Sequence, residues 1–161
     1  MSRGAKNIKK RLAQPDAVYN SVLVSKLVNN IMKDGKKTTA QTQVYKTFEL
    51  LTPKDGQGTP LDVFEKAVQN VGPKQEIKAR RVGGASYQIP MEVRGERKTA
   101  LALRWIIEAA RAKSNSEFHT FAEKLAAEIL AASNNEGEAV KKRDNVQRMA
   151  EANKAFSHFR F

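Results

Sequence analysis

The sequence contains no cysteine and no long apolar segment. Without cysteine, neither disulfide bonds nor thiolate metal sites can form, and a reducing compartment such as the cytoplasm is expected. No apolar run approaches the roughly 20 residues that a membrane-spanning helix requires. The first residues, MSRGAKNIKKRLAQPD, carry charge without a following apolar core, which is not the pattern of a secretory signal. We therefore expect a protein that is neither inserted into a membrane nor exported.

Residues that usually carry catalysis are also scarce. The two histidines, His119 and His158, lie far apart in the chain and have no HExxH-type companion. The adjacent glycines at 83 and 84 are not part of a GxxxxGK[ST] or GxGxxG pattern, and no two acidic residues stand out as an acid–base pair. The sequence thus predicts no enzyme, no metal site and no cofactor.

Positive charge is the dominant property of the chain. Its 29 lysines and arginines against 17 acidic residues give a formal net charge of +12. Counted by segment, the excess is about +5 in residues 1–11 and about +5 in residues 74–104, with only about +1 in each remaining part. Charge that served solubility alone would be spread evenly. Its concentration predicts a binding face for a polyanion, because such a face gains affinity by releasing counterions from nucleic acid.

Apolar residues recur at helical spacing before residue 74 and predict three helices. Thr59 is a suitable N-cap for the third, with Pro60 at its first position and Asp62 able to complete a capping box. The second helix is expected to end at Thr52-Pro53, before the loop KDGQG. The buried stripes predicted for the three helices are Val24, Leu27, Val28 and Ile31; Ala40, Val44, Phe48 and Leu51; and Leu61, Phe64, Ala67, Val68 and Val71.

The segment KARRVGGASYQIPMEVR, residues 78–94, interrupts the helical pattern. Its flanking runs, QEIKARRV and SYQIPMEV, alternate with a period of two, the second more regularly than the first. Gly83 and Gly84 between them can supply the positive φ angles of a tight turn. Pro90 restricts its strand to a sheet edge, which a two-stranded arm provides. The pattern predicts a β-hairpin arm over residues 74–94.

Helical spacing returns after Gly95 and predicts three further helices. For the fifth, Ser114 and Glu117 are interpreted as an N-terminal capping box. The expected fold class is therefore mainly α: a six-helix bundle with a β-hairpin arm between helices three and four, plus a basic N-terminal extension. We expect one domain over residues 1–161, of which 1–14 form a flexible basic arm. The predicted stripes are Leu101, Trp105, Ile106 and Ala109; Phe118, Phe121, Ala122, Leu125, Ile129 and Leu130; and Val146, Met149 and Ala150.

Basic residues flank the predicted hairpin on both sides. A short hairpin is expected to bring the two flanking groups to the same end, and arginine's planar fork suits bidentate phosphate contact. Tyr87 is as compatible with core packing as with stacking on a base, whereas Trp105 is expected in the core because it shares an apolar stripe. The two groups are Lys78, Arg80 and Arg81 on the first strand, and Arg94, Arg97 and Lys98 after the second.

Four segments of the sequence resemble one family. They are DGKK at 34–37, KARRVGGASYQIPMEVR at 78–94, ALALRWIIEAAR at 100–111 and AVKKRDNVQRMAEANKAFSHFRF at 139–161. Together they are similar to the bacterial small-subunit ribosomal protein seven family. The resemblance implies six helices with a hairpin arm. It also implies binding to the three-prime major (head) domain of small-subunit ribosomal RNA, a part in starting head assembly, and a place near exit-site transfer RNA and the messenger RNA exit channel.

The resemblance also implies which residues of this chain contact RNA. The hairpin tip, Val82, Gly83, Gly84, Ala85, Ser86 and Tyr87, would approach transfer RNA and messenger RNA. Neighbouring small-subunit ribosomal proteins are further implied partners. The implied ribosomal RNA contacts are Arg3, Lys9, Lys10, Arg11, Lys36, Lys37, Lys78, Arg80, Arg81, Arg94, Arg97, Lys98, Arg104, Arg111, Lys141, Lys142 and Arg143.

Two other functions stay open at the level of sequence. An architectural DNA-binding protein could also combine a helical body with a basic β-arm that embraces a duplex. An RNA-modifying or RNA-cleaving enzyme would require acid–base or cofactor residues that the sequence does not offer. The leading interpretation is a structural RNA-binding protein of the small ribosomal subunit that clamps phosphates and recognises RNA shape.

Overall fold

Apolar residues at helical spacing form the body of the molecule, and one pair of strands interrupts them. The computed structural model describes residues 13–52 and 59–159. Within these residues the fold is mainly helical with a hairpin between the third and fourth helices, which confirms the predicted fold class. The elements are α1 (Val22–Ile31), α2 (Lys37–Leu51), α3 (Pro60–Val71), β1 (Gln75–Val82), β2 (Ala85–Glu92), α4 (Gly95–Ala112), α5 (Phe121–Ser133), α6 (Glu138–Ala152) and a 3-10 helix, Lys154–Phe159.

Helix α5 is the centre of the bundle and packs against α2, α3, α4 and α6. Its sequence, FAEKLAAEILAAS, is apolar on most sides, as expected for a buried helix, and its Leu125 and Ile129 are fully buried. Phe48 of α2 and Phe64 of α3 meet edge to face, with ring centroids 5.5 Å apart, in the adjoining part of the core. One continuous apolar cluster therefore joins all six helices.

The predicted start of α3 is confirmed. The Thr59 hydroxyl accepts a hydrogen bond from the Asp62 backbone N–H at 3.2 Å, and the Asp62 carboxylate accepts one from the Thr59 N–H at 2.9 Å. The Thr59 backbone and side-chain hydrogen bonds lower the pKa of Asp62. Pro60 occupies the first helical turn, where its missing N–H costs nothing.

The predicted start of α5 is wrong. The helix begins at Phe121, with Thr120 as N-cap and Glu123 completing the capping box. The Ser114 hydroxyl instead accepts a hydrogen bond from the Ser116 N–H at 3.1 Å within a turn. Both SNSE at 114–117 and TFAE at 120–123 match the capping pattern, and the helix uses the second, which leads directly into the apolar stripe.

Two residues predicted for buried stripes are exposed. Leu130 of α5 is 53% exposed and Met149 of α6 is 48% exposed. The reason is angular, because successive helical residues are rotated by about 100°. Ile129 and Ala150 occupy the core-facing positions, which places Leu130 and Met149 toward solvent.

A buried carboxylate holds the start of α6. Glu128 of α5 has no exposed surface, and its Oε1 accepts a hydrogen bond from the Ala139 N–H in the first turn of α6 at 2.9 Å. Its Oε2 lies 2.9 Å from Lys113 Nζ. A carboxylate at a helix N-terminus satisfies free N–H groups and complements the helix dipole. Glu128 therefore fixes α6, a helix with many basic residues, against α5.

The chain enters α1 through a turn that Asp16 organises. The buried Asp16 carboxylate accepts hydrogen bonds from the Val18 N–H at 3.1 Å and the Tyr45 hydroxyl at 3.0 Å. Burial, and then the hydrogen bond to Asp16, raise the pKa of Tyr45. The segment before α1 is thereby tied to α2.

Candidate nucleic-acid interface

The hairpin arm has the tight turn that the sequence predicts. The strands are antiparallel, with Val82 opposite Ala85 and Gln75 opposite Glu92. Gly83 and Gly84 have φ angles of +57° and +92°. Residues with a Cβ atom rarely adopt such angles, whereas glycine adopts them readily. With eight residues in each strand, the arm is roughly 26 Å long. The turn glycines are exposed and present only backbone, so a nucleic acid strand could approach this end closely.

The expectation that the hairpin brings its two basic groups to one end holds for Lys78, which shares the Glu76 carboxylate with Arg97, and is wrong for Arg80 and Arg81. The strand register pairs Arg80 with Tyr87 and Arg81 with Ser86, directly behind the turn. Arg97 and Lys98 follow the other end of the arm, on the first turn of α4. Because β1 is extended, Arg81 lies five residues, or roughly 17 Å, beyond Glu76 at the base. The arm therefore carries basic residues near both ends.

Glu76 organises the base of the hairpin. Its carboxylate lies 2.9 Å from Arg97 Nη2 and 3.4 Å from Lys78 Nζ, and its side chain is only 13% exposed. Burial acts to raise the pKa of Glu76, but the hydrogen bonds and charges of Arg97 and Lys78 together outweigh burial and lower it below its ordinary value of 4.5. A third ion pair joins Arg94 to Glu92 at the exposed end of β2. Of these ion pairs, the one between Arg97 and Glu76 joins the arm to α4.

A line of three arginines runs along α4. Arg97, Arg104 and Arg111, here called the α4 stripe, are seven residues apart and so lie on one side of the helix. The stripe extends over about 21 Å of helix. Its middle member, Arg104, is exposed and forms no ion pair with any residue in 13–52 or 59–159. Arg111 at its far end donates a hydrogen bond to the Ile31 carbonyl at 3.3 Å, which brings the end of α1 beside the stripe.

The α1–α2 loop adds two exposed cations near that end of the stripe. Lys36 is the N-cap of α2 and Lys37 its first residue, and both are exposed. Asp34 and Gly35 have positive φ angles of 52° and 71°, so the chain turns sharply before the lysines. Arg111 contacts the last residue of α1, five residues before Lys36. Exposed lysines and arginines therefore extend from the hairpin base, along α4, to this loop.

Some predicted RNA contacts have partners within the protein. Arg143 Nη1 donates to the Asn70 carbonyl at 2.6 Å and to Asn135 Oδ1 at 2.8 Å. Lys142 Nζ lies 2.5 Å from the Glu108 carboxylate and Lys141 Nζ lies 2.6 Å from Glu138. Arg143 thus joins the end of α3 to α6, and the two lysines form surface ion pairs. Their role toward RNA stays a prediction.

A groove lies between the end of α3, the start of β1, α4 and α6. Its volume is about 690 Å³. Lys74, Lys98, Arg143 and Arg148 line it, against the two acids Asp144 and Glu151. The Lys98 side chain crosses Gly72, where a Cβ atom would come within 2.7 Å of Lys98 Cε. The groove is therefore net positive and adjoins the hairpin base.

Two basic residues that line the groove, Lys74 and Arg148, were not among the predicted RNA contacts. Lys74 directly follows Gly72-Pro73, the signal that ends α3, and so had to lie at the hairpin base. Arg148 follows Lys141 at a spacing of seven residues, which places both on one side of α6. Both signals were present in the sequence.

The two aromatic residues in question have different environments. Trp105 is 7% exposed and belongs to the core, as predicted, and Lys142 Nζ lies 6.0 Å from its ring centroid. Tyr87 is half-buried, and its ring centroid is 5.3 Å from that of Phe156. Tyr87 therefore packs against another aromatic side chain of the protein, and stacking of its ring on a base stays a prediction.

Four predicted contacts, Arg3, Lys9, Lys10 and Arg11, lie outside the described residues, as does the predicted loop at 54–58. In the described part of the chain, no helix is long and apolar enough to cross a membrane. The same part holds no group of three or more His, Cys, Asp or Glu residues placed to bind a metal ion.

Fold and site together define a class: a helical protein with a basic β-arm and basic helix surfaces, suited to a polyanionic partner. Comparison with known proteins specifies the class further. Residues 2–154 match the model of the family described as "Ribosomal protein S7p/S5e". The chain belongs to this family, whose members are structural proteins of the small ribosomal subunit and not enzymes. Such a protein resides in the ribosome of the cytoplasm.

Individual relatives are similar along almost their whole length. The protein named "Small ribosomal subunit protein uS7" of Lactobacillus delbrueckii subsp. bulgaricus is 52% identical over 155 residues, which cover 96% of this chain and 97% of the relative. Its namesake in Thermotoga petrophila is 54% identical over 151 residues, covering 94% and 95%. The family resemblance expected from the sequence is thereby confirmed.

Proposed function

We propose that this protein binds the three-prime major domain of small-subunit ribosomal RNA and helps to start assembly of the subunit head. The observation that carries the proposal is the continuous arrangement of exposed cations from the hairpin base, along the α4 stripe, to Lys36 and Lys37. Family membership supports an RNA partner within the ribosome over the duplex DNA of an architectural protein.

Binding relies on contacts to the RNA backbone. The α4 stripe and the loop lysines neutralise phosphates along more than about 21 Å of the surface. They can therefore hold two RNA segments in a fixed relation. A-form RNA offers mainly shape, phosphates and 2′-hydroxyls to a protein surface, and arginine and lysine suit these features. In this proposal Arg111 and Arg143 stabilise the helices that present the surface, in addition to any direct contact with RNA.

The hairpin arm is proposed to extend toward exit-site transfer RNA and the messenger RNA exit channel. The exposed turn at Gly83 and Gly84 is narrow, and Arg80 and Arg81 lie just behind it. An arm of this kind can reach a strand that the helical body does not touch. Neighbouring ribosomal proteins are proposed as further partners.

A competition assay tests the proposed partner. The full chain is titrated with a transcript of the three-prime major domain, duplex DNA and an unrelated structured RNA of equal length. We expect binding to the ribosomal transcript that survives an excess of either competitor, because shape recognition adds to the electrostatic attraction common to all three. Equal affinity for all three would contradict the proposal and favour the architectural DNA-binding alternative.

A further inference from the structure

The 3-10 helix Lys154–Phe159 contacts the outer half of the hairpin arm. Tyr87 is the third residue after the turn glycines, opposite Arg80 in the strand register. Its ring is 5.3 Å from that of Phe156, with the ring planes inclined by 49°. Both residues are half-buried, and β2 packs against the 3-10 helix that contains Phe156. Two segments that are distant in sequence thus meet near the tip of the arm.

The arm has further supports, including contacts of α6 with both strands. Glu76 pairs with Arg97 at the base of the arm, and Ile89, opposite Lys78 in the strand register, is 1% exposed. An isolated two-stranded hairpin is only marginally stable in water, so the part beyond Ile89 needs support of its own. Tyr87 lies two residues beyond Ile89 toward the turn, and its contact with Phe156 supplies such support.

We propose that Phe156 is a positioning residue: its ring holds Tyr87 and fixes the outer half of the hairpin arm relative to the helical body. The contact acts in both directions, because a coupling between two segments is reciprocal. Tyr87 therefore also holds the segment Lys154–Phe159 in place. The effect of Phe156 on the arm does not depend on the proposed function. Any effect of Phe156 on RNA binding does, because it requires that the arm contacts RNA.

Amide hydrogen exchange of the full-length free protein, followed by NMR, tests the proposal. In Phe156→Ala we expect exchange at residues 80–87 to accelerate about 2- to 10-fold, the range that corresponds to one aromatic pair. Phe118→Ala is the matched control, since Phe118 is also half-buried but lies against α2 and α5. Phe156→Leu, which keeps an apolar contact, should retain much of the protection. Unchanged exchange at 80–87 in Phe156→Ala would overturn the proposal.

Reciprocity gives a second readout that general destabilisation would not produce. Tyr87→Ala should accelerate exchange at residues 154–158, and combining it with Phe156→Ala should add little at either segment. Fully additive effects would show that the two rings act independently and would also overturn the proposal. If Phe156→Ala loosens the arm while affinity for the ribosomal transcript is unchanged, the role of Phe156 stands and the role of the arm in RNA binding fails.

Discussion

Positively charged residues of this protein have two distinct roles. Arg111, Lys124 and Arg143 each donate a hydrogen bond to a carbonyl at the end of a helix other than their own: Ile31 of α1, Lys113 after α4 and Asn70 of α3. Cations in these positions satisfy free carbonyls and complement the helix dipole. Arg111 is exposed as well and also belongs to the α4 stripe, whereas Arg81 and Arg104 are exposed and form no ion pair with the described residues. The net charge of +12 therefore overstates the charge that is available to RNA.

The stability of two arginine variants distinguishes these roles. Arg143→Ala should lower the free energy of unfolding by about 1–3 kcal/mol, because it removes charge-assisted hydrogen bonds that join α3 to α6. Arg81→Ala should change it by less than about 0.5 kcal/mol, as is usual for an exposed residue. Urea denaturation of both variants measures the difference. Equal stabilities would contradict the structural role of Arg143.

At the level of elements, periodicity and local turn chemistry predicted most of the fold, but not all of it. The stripes of α1 to α4 and the turn at Gly83 and Gly84 were predictable because one apolar face or one unusual backbone angle leaves few alternatives. The start of α5 was not, because two capping boxes compete and only packing selects Thr120. The separation of Arg81 from Arg97 required the strand register. The contact between Tyr87 and Phe156 joins segments 69 residues apart, and no local pattern encodes it.

Glu76 makes the hairpin base sensitive to acid. Because its pKa is lowered on folding, its contribution to stability is complete above its ordinary pKa of 4.5 and is lost as the pH falls through the lowered value. Glu76→Gln should therefore be less stable than the unmodified protein by about 0.5–1 kcal/mol at pH 6, with the difference shrinking below pH ~4.5.

Urea denaturation from pH 6 to pH 3 follows this difference. Glu65→Gln is the control, since Glu65 is an exposed helical carboxylate that forms no ion pair with the residues described. A difference between the unmodified protein and Glu76→Gln that stays constant over the whole range would contradict the role of Glu76.

At the scale of the whole molecule, one buried core supports two kinds of basic surface. The helices centred on α5 fix the α4 stripe and the α1–α2 loop, and α6 and the 3-10 helix hold the hairpin arm. The family to which the chain belongs consists of structural ribosomal proteins and not of enzymes. We propose that the core holds these basic surfaces rigidly, so that they can contact a folded RNA.

The salt dependence of RNA binding distinguishes a localised phosphate-binding surface from charge that acts evenly over the molecule. The double variant Arg104→Gln, Lys37→Gln removes two cations of the proposed surface. The control Lys46→Gln, Lys66→Gln removes two exposed lysines elsewhere, since Lys46 is nine residues from Lys37 and so on the opposite side of α2. Binding to the three-prime major domain transcript should show a log–log salt slope that is smaller by about 2 in the first variant and nearly unchanged in the control. Equal slopes in the two variants would contradict a localised phosphate-binding surface.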